Sequence, residues 1–252
     1  MLYSPLEQFQ VIPILSMHLG RVDISLTNSA LTGIFLCGIF FFFLSSLMNG
    51  DKSDFLFIPS RWQLVLEIMY KAIVKMVVEN IGEKGQEFFP FVFSVFMFIL
   101  LSNVLGLTPY AFTYTSHLVV VLTLGIIIFF GVNYICVEKH GMKIFRNFYP
   151  SGSSLVLGLI LVPIELISYV FKPISLAIRL FANMMAGHTL LKVVAGFSWS
   201  LMSCTGLLFF AYLIPLAVLV PLFGLELGVA LIQAYVFTLL TCIYINDSLH
   251  LH

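Results

Sequence analysis

The chain has 252 residues, of which 60% are hydrophobic and only 10% charged, and its mean hydropathy is +1.07. A soluble domain carries about 25% charged residues, so this composition excludes a water-soluble globular protein and makes lipid the solvent. Twelve Lys and Arg balance twelve Asp and Glu, which leaves no case for a nucleic-acid partner.

Residues 1–26 are mixed in character and carry Glu7, Arg21 and Asp23. No basic stretch leads into a short apolar run there, so no cleavable targeting segment is expected. Thr27–Met48 follows without a charge. It is about the length of one helix across a ~30 Å hydrocarbon core, which predicts a transmembrane helix over 27–48. In Pro59–Gly85 the charged residues Glu67, Lys71, Lys75, Glu79 and Glu83 recur on one slowly drifting stripe. Val65, Leu66, Ile68, Met69, Ile73, Met76, Val77 and Ile81 cover the rest. This pattern predicts an interfacial amphipathic helix over 59–85, with Trp62 at the interface and Glu67/Lys71 and Lys75/Glu79 as supporting pairs. Phe88–Thr108 and His117–Val137 are again apolar, and Pro109–Ser116 between them holds Pro and several hydroxyls. These predict a transmembrane hairpin over 88–137.

The last two runs, Ser153–Val194 and Leu201–Ile245, differ in length and content. As continuous helices they would be roughly 63 to 68 Å long, about twice the bilayer core. Neither has a polar turn near its middle, and Lys172-Pro173, Pro215 and Pro221 read as kinks that transmembrane helices tolerate. With a turn at Gly196–Thr205, they are expected to form a long, steeply tilted helical hairpin over 153–245. The fold class is therefore all-α integral membrane, as a single membrane domain over 1–252. Loop 49–87 holds Lys52, Arg61, Lys71, Lys75 and Lys84, loop 138–152 holds Lys139, Lys143 and Arg146, and the hairpin bend holds no basic residue. The positive-inside rule then puts those two loops inside and the N-terminus outside, and five crossings bring His252 to the inner side.

Ionisable residues inside a membrane are costly and mark function by default. Glu165, Lys172 and Arg179 are spaced by seven and share a helix face, with Asn183 one turn further. His188 falls on the opposite face, and Glu226 and Gln233 share a face of the next helix. Each has a plainer reading. Lys172 and Lys192 could snorkel, Glu165 could neutralise a neighbour, and Asn183 and Gln233 could join helices. His188 could be a packing residue. Arg179 resists such a reading, because its guanidinium stays charged and lies deep in the run. It calls for a partner's carboxylate or a water-filled path.

Other classes lack their marks. A secondary transporter would show an internal repeat with paired broken helices, and none is evident. A haem- or quinone-binding subunit would need paired intramembrane His residues, but His18, His117, His140, His250 and His252 lie at loops, span ends or the terminus. The cysteines Cys37, Cys136, Cys204 and Cys242 are isolated, so neither a disulfide framework nor a zinc site is expected.

The segment Ser175-Leu176-Ala177-Ile178-Arg179-Leu180-Phe181-Ala182-Asn183-Met184, continuing through Ala186-Gly187-His188, resembles the signature of subunit a of the proton-driven ATP synthase. Ser102-Asn103-Val104-Leu105-Gly106-Leu107-Thr108-Pro109, the stretch from Glu226 to Gln233-Ala234-Tyr235-Val236-Phe237, and Ser4-Pro5-Leu6-Glu7-Gln8-Phe9 are similar to further parts of that family. His on the fifth helix and Glu on the sixth resemble its mitochondrial members. The resemblance implies a place beside a ring of c subunits, each bearing a buried carboxylate, with two offset half-channels leading to it. His188 and Glu226 would line the access path from the intermembrane space, with Asn103 near its mouth. Glu165 would line the exit to the matrix, and the role of Lys172 stays open. Arg179 would stand between the paths, oriented by Asn183 and Gln233. It further implies the mitochondrial inner membrane, with the N-terminus in the intermembrane space and the C-terminus in the matrix. The expected partners are the c-ring, peripheral-stalk and other membrane-sector subunits, and lipids. No cofactor, metal or catalytic residue is expected. The chain lacks the GxxxxGK[ST] nucleotide motif, so ATP chemistry would belong to partner subunits.

Overall fold

The computed structural model describes residues 4–19, 22–48, 61–108, 111–141, 155–203 and 211–249. Pro109, Lys52, Lys143, Arg146, Cys204 and Thr205, together with the side chains of Trp62, Glu83 and Lys84, lie outside what is described. Among the described residues six α-helices follow one another: α1 (Asn28–Met48), α2 (Arg61–Ile81), α3 (Phe89–Gly106), α4 (Leu118–His140), α5 (Leu155–Met202) and α6 (Leu213–Leu249). Gly85–Gly106, Leu118–Lys139, Leu161–Met202 and Leu213–Leu249 are long and apolar enough to cross a membrane, while the apolar stretch Asn28–Phe43 of α1 is shorter. The chain is an all-α, multi-pass membrane protein. Helices dominate because lipid offers backbone N–H and C=O groups no partner, so each span must satisfy its own.

By its contacts the chain forms two compact units, one of Met1–Pro59, Met97–His117 and Phe181–Ala234, the other of Ser60–Phe96, Leu118–Leu180 and Tyr235–His252.

In the first unit, residues that the sequence left without structure form two short antiparallel pairs. β1 (Pro13–Leu15) pairs with β4 (Leu26–Thr27), and β2 (His18–Leu19) with β3 (Val22–Asp23). Asn28 ties them to α1. Its backbone N–H donates to Ile12 O at 3.1 Å, its Oδ1 accepts from Ile12 N at 3.2 Å, and its Nδ2 donates to Gln10 O at 3.0 Å. The Tyr114 hydroxyl donates to Ser29 O, and Gly33 leaves room for that phenol. The start of α1 and the bend between α3 and α4 therefore lie on the same side.

In the second unit, α2 is amphipathic as predicted. Leu66, Ile73, Met76, Val77 and Ile81 are buried, while Lys71 pairs with Glu67 at 2.7 Å and Lys75 with Glu79 at 3.7 Å on its exposed side. Gly82, at φ 84°, ends the helix in a backbone state that only glycine adopts cheaply, and its N–H donates to Val78 O at 3.0 Å. Tyr70 packs on Phe89 and Phe93 with ring centroids 4.9 and 6.1 Å away. Two polar side chains in the spans of this unit are paired: Asn133 Nδ2 donates to Phe129 O at 2.8 Å, and Tyr169 donates its hydroxyl to Asn133 Oδ1 at 2.9 Å.

The prolines do not break the long helices. Pro163 and Pro173 lie inside α5 and Pro221 inside α6. Pro215 falls in the first turn of α6, where its missing N–H has no acceptor in any case. One expectation is corrected. The turn placed at Gly196–Thr205 does not begin at Gly196, because α5 continues to Met202. The hydroxyls of this stretch bond to carbonyl oxygens. Ser200 Oγ donates to Phe197 O at 2.8 Å, Ser203 Oγ to Trp199 O at 3.2 Å, and Ser198 Oγ to Tyr212 O at 3.4 Å. With 48 residues, α5 extends about 72 Å at 1.5 Å per residue.

Burial predicts unequal costs along α2. Ile73 is only 1% exposed, so Ile73→Ala should cost about 2–5 kcal/mol. Lys71→Ala, which removes an exposed pair, should stay within about 0.5 kcal/mol. Thermal unfolding in detergent distinguishes the two.

Candidate functional site

The first unit brings five of the seven singled-out residues together, from α3, α5 and α6. Asn103, fully buried near the end of α3, donates from Nδ2 to Ala230 O on α6 at 3.2 Å. His188 on α5 directs Nδ1 toward Glu226 Oε1 at 3.6 Å, with side-chain exposures of 12% and 5%. That separation suits an ion pair and is just beyond a formed hydrogen bond. On its other side, His188 Nε2 is 3.4 Å from Thr113 Oγ1 in the bend. Two turns along α6 from Glu226, buried Gln233 accepts at Oε1 from Asn183 Nδ2 at 3.3 Å.

Room for Glu226 comes from the residue before His188. A Cβ on Gly187 would lie 2.6 Å from Glu226 Oε1 and 2.8 Å from its Cδ. The carboxyl therefore packs directly on the α5 backbone, and the absent side chain is what permits it.

Several buried polar atoms have no hydrogen-bond partner among the described residues: both carboxyl oxygens of Glu226, Gln233 Nε2, Asn103 Oδ1, Ser102 Oγ, Thr115 Oγ1 and His117 Nε2. Buried polar atoms are ordinarily satisfied by protein or by water, so this region is chemically suited to hold water. His117, in the bend, stacks on Phe112 with ring centroids 4.7 Å apart, and burial lowers its pKa below the usual histidine value. A carboxyl and an imidazole enclosed side by side can share and pass a proton.

Arg179 and Glu165 belong to the second unit. Both are exposed on this chain, and among the described residues no carboxylate lies within 4.0 Å of the Arg179 guanidinium. Lys172, also exposed, holds its Nζ 5.9 Å from the centre of the Tyr244 ring. This cation–π contact is an alternative to snorkelling. Among the described residues no group of three or more His, Cys, Asp or Glu could hold a metal ion.

Two participants escaped the sequence reading. Gly187 stood inside the quoted motif without a role, and a glycine within an apolar helix was its only signal. Thr113 looked like any hydroxyl of a polar bend, and only the fold brings it to His188.

The space at Gly187 predicts a difference between glycines. Gly187→Ala should destabilise by about 1–3 kcal/mol through overpacking. Gly228, with nothing within 4 Å of a built Cβ, should tolerate Ala or gain up to about 1 kcal/mol from helix propensity. Thermal denaturation of the two variants in detergent measures both.

The family model for the ATP synthase A chain matches residues 29–246. The chain is 52% identical over 252 residues to ATP synthase subunit a of Pylaiella littoralis, covering all of both chains. It is 46% identical over 249 residues to ATP synthase subunit a of Chondrus crispus, covering 99% of this chain and 97% of that one. With ATP synthase subunit a of Rhodospirillum rubrum the identity is 41% over 251 residues, at full coverage of both.

Proposed function

The chain belongs to the ATP synthase A chain family, the proton-translocating subunit of the membrane sector, and on that premise we propose how its residues carry protons. Two offset aqueous half-channels serve the carboxylates of a c-ring. The access path runs through the Asn103, His188 and Glu226 cluster, and the exit path passes Glu165. Arg179 separates them, so that proton flow is coupled to ring rotation and to ATP synthesis in partner subunits. Peripheral-stalk subunits hold the chain against the ring, and the chain itself performs no catalysis and binds no cofactor.

The observation that carries this reading is the exposure of Arg179 within an apolar helix, with no carboxylate of the described chain beside it. A guanidinium cannot discharge itself by losing its proton, and an unmatched charge is untenable in hydrocarbon. A carboxylate from another chain answers both points. Next to Arg179 the ionised form of that carboxylate is favoured, which promotes release of its proton. The same fixed charge repels protons that would leak directly between the two paths.

Asn183 donates to Gln233 through Nδ2. The unpartnered polar atoms around His188 and Glu226 support a hydrated access path. The bond from Tyr114 to Ser29 supports an N-terminus on the same side as the α3–α4 bend. With basic loops inside, that side is the intermembrane space of the mitochondrial inner membrane, and the C-terminus lies in the matrix.

Proton pumping driven by ATP in vesicles carrying the assembled synthase tests the scheme. Arg179→Gln should reduce pumping about 10²-fold or more, the scale of losing one preorganised electrostatic group. His188→Ala and Glu226→Gln should each reduce it about 10²-fold, the lower bound for losing a proton-transfer group. Undiminished pumping by Arg179→Gln in a fully assembled complex would sink the proposal.

A further inference from the structure

Thr113 stands between the end of α3 and His188. We propose that it is a positioning residue of the access path, fixing which nitrogen of the His188 ring holds the permanent proton and making Nδ1 the atom that exchanges with Glu226. This rests on the reading of His188 and Glu226 given above.

The carbonyls of the last turn of a helix lack partners inside the helix. At the end of α3, Asn103 O accepts from Leu107 N at 3.2 Å and Leu105 O from Thr108 N at 3.1 Å. Gly106 O accepts from the Thr113 hydroxyl at 3.4 Å. A carbonyl can only accept, and a hydroxyl has a single proton. Thr113 therefore spends its proton on Gly106 and turns a lone pair toward His188 Nε2, also at 3.4 Å. That lone pair is satisfied only if Nε2 carries hydrogen.

A neutral imidazole has one N–H. With that hydrogen on Nε2, neutral His188 has a bare Nδ1, and Nδ1 is the atom facing Glu226 Oε1 at 3.6 Å. The pair then has two forms that share one mobile proton. In one, a doubly protonated imidazole faces a carboxylate. In the other, bare Nδ1 faces a protonated carboxyl. A proton leaving Nδ1 becomes the carboxyl proton of Glu226, and the Nε2–H bond stays intact throughout. The opposite tautomer would present an N–H to Glu226 and could accept nothing from it.

The approach of Thr113 to the helix end is itself specified. A Cβ on Gly106 would lie 2.6 Å from Thr113 Cγ2 and 3.1 Å from its Oγ1, so any other residue at 106 would push the hydroxyl away. Thr113 is also buried, which shields both contacts from competing water.

A role in packing depends on the shape of Thr113, whereas this role depends on its hydroxyl, and two substitutions separate them. Thr113→Val keeps the branched shape and removes the hydroxyl. Thr113→Ser keeps the hydroxyl and removes the methyl. In vesicles with equal amounts of assembled synthase, ATP-driven pumping should fall roughly tenfold for Val and stay within about twofold for Ser, as expected for loss of one hydrogen bond. If Val impairs assembly, Thr113→Ala set against Thr113→Ser gives the same comparison, since these differ by the hydroxyl alone. Normal pumping by the hydroxyl-free variant, or equal loss in Val and Ser, overturns the assignment. If His188→Ala abolishes pumping while Thr113→Val leaves it normal, only the role of Thr113 fails. If His188→Ala pumps normally, the access path itself is wrong.

Discussion

An unmatched polar group in hydrocarbon costs several kcal/mol, and this constraint decides where each polar side chain of the chain can stand. The spans are helical because each must satisfy its own backbone. The same rule governs side chains: Asn133 turns back to Phe129 O and receives Tyr169, and Ser200 returns to Phe197 O. Buried atoms without such a match among the described residues include both carboxyl oxygens of Glu226, Gln233 Nε2 and Asn103 Oδ1.

Glycine enters this chemistry as a way of bringing charge onto backbone. At Gly187 the missing side chain admits a carboxyl to the surface of α5, and at Gly106 it admits a hydroxyl to the end of α3. Both are close approaches inside low dielectric, where a few tenths of an ångström alter an electrostatic interaction appreciably. The small residues thus set the distances at which the ionisable ones meet.

Much of this was legible in sequence. Charge-free runs announced α1, α3 and α4, because span length is dictated by bilayer thickness. The four-residue recurrence of Glu and Lys announced α2. The spacing of polar residues within the spans singled out Asn183, His188, Glu226 and Gln233, and the fold pairs His188 with Glu226 and Asn183 with Gln233. The errors have physical sources. A turn was expected from Gly196, yet α5 runs on to Met202, because serine can satisfy itself on the preceding turn of a helix and leave the helix intact. The N-terminal strand pairs are too short for period-two alternation to register, and Asn28 fastens the segment before β1 to the start of α1. Thr113 comes to His188 from 75 positions away, which no local spacing encodes.

The lock at Asn28 bears on how the protein meets bilayers of different thickness. A free helix can slide along the membrane normal, or let its flanks snorkel, when its length and the hydrocarbon do not match. The first turn of α1 is held by three bonds to the strand segment, and the Tyr114–Ser29 bond ties it to the α3–α4 bend. Sliding is thereby removed from its repertoire. A thicker or thinner membrane has to be accommodated by tilt or by the surrounding lipid, which makes α1 a fixed depth gauge for the bend and for the histidine behind it.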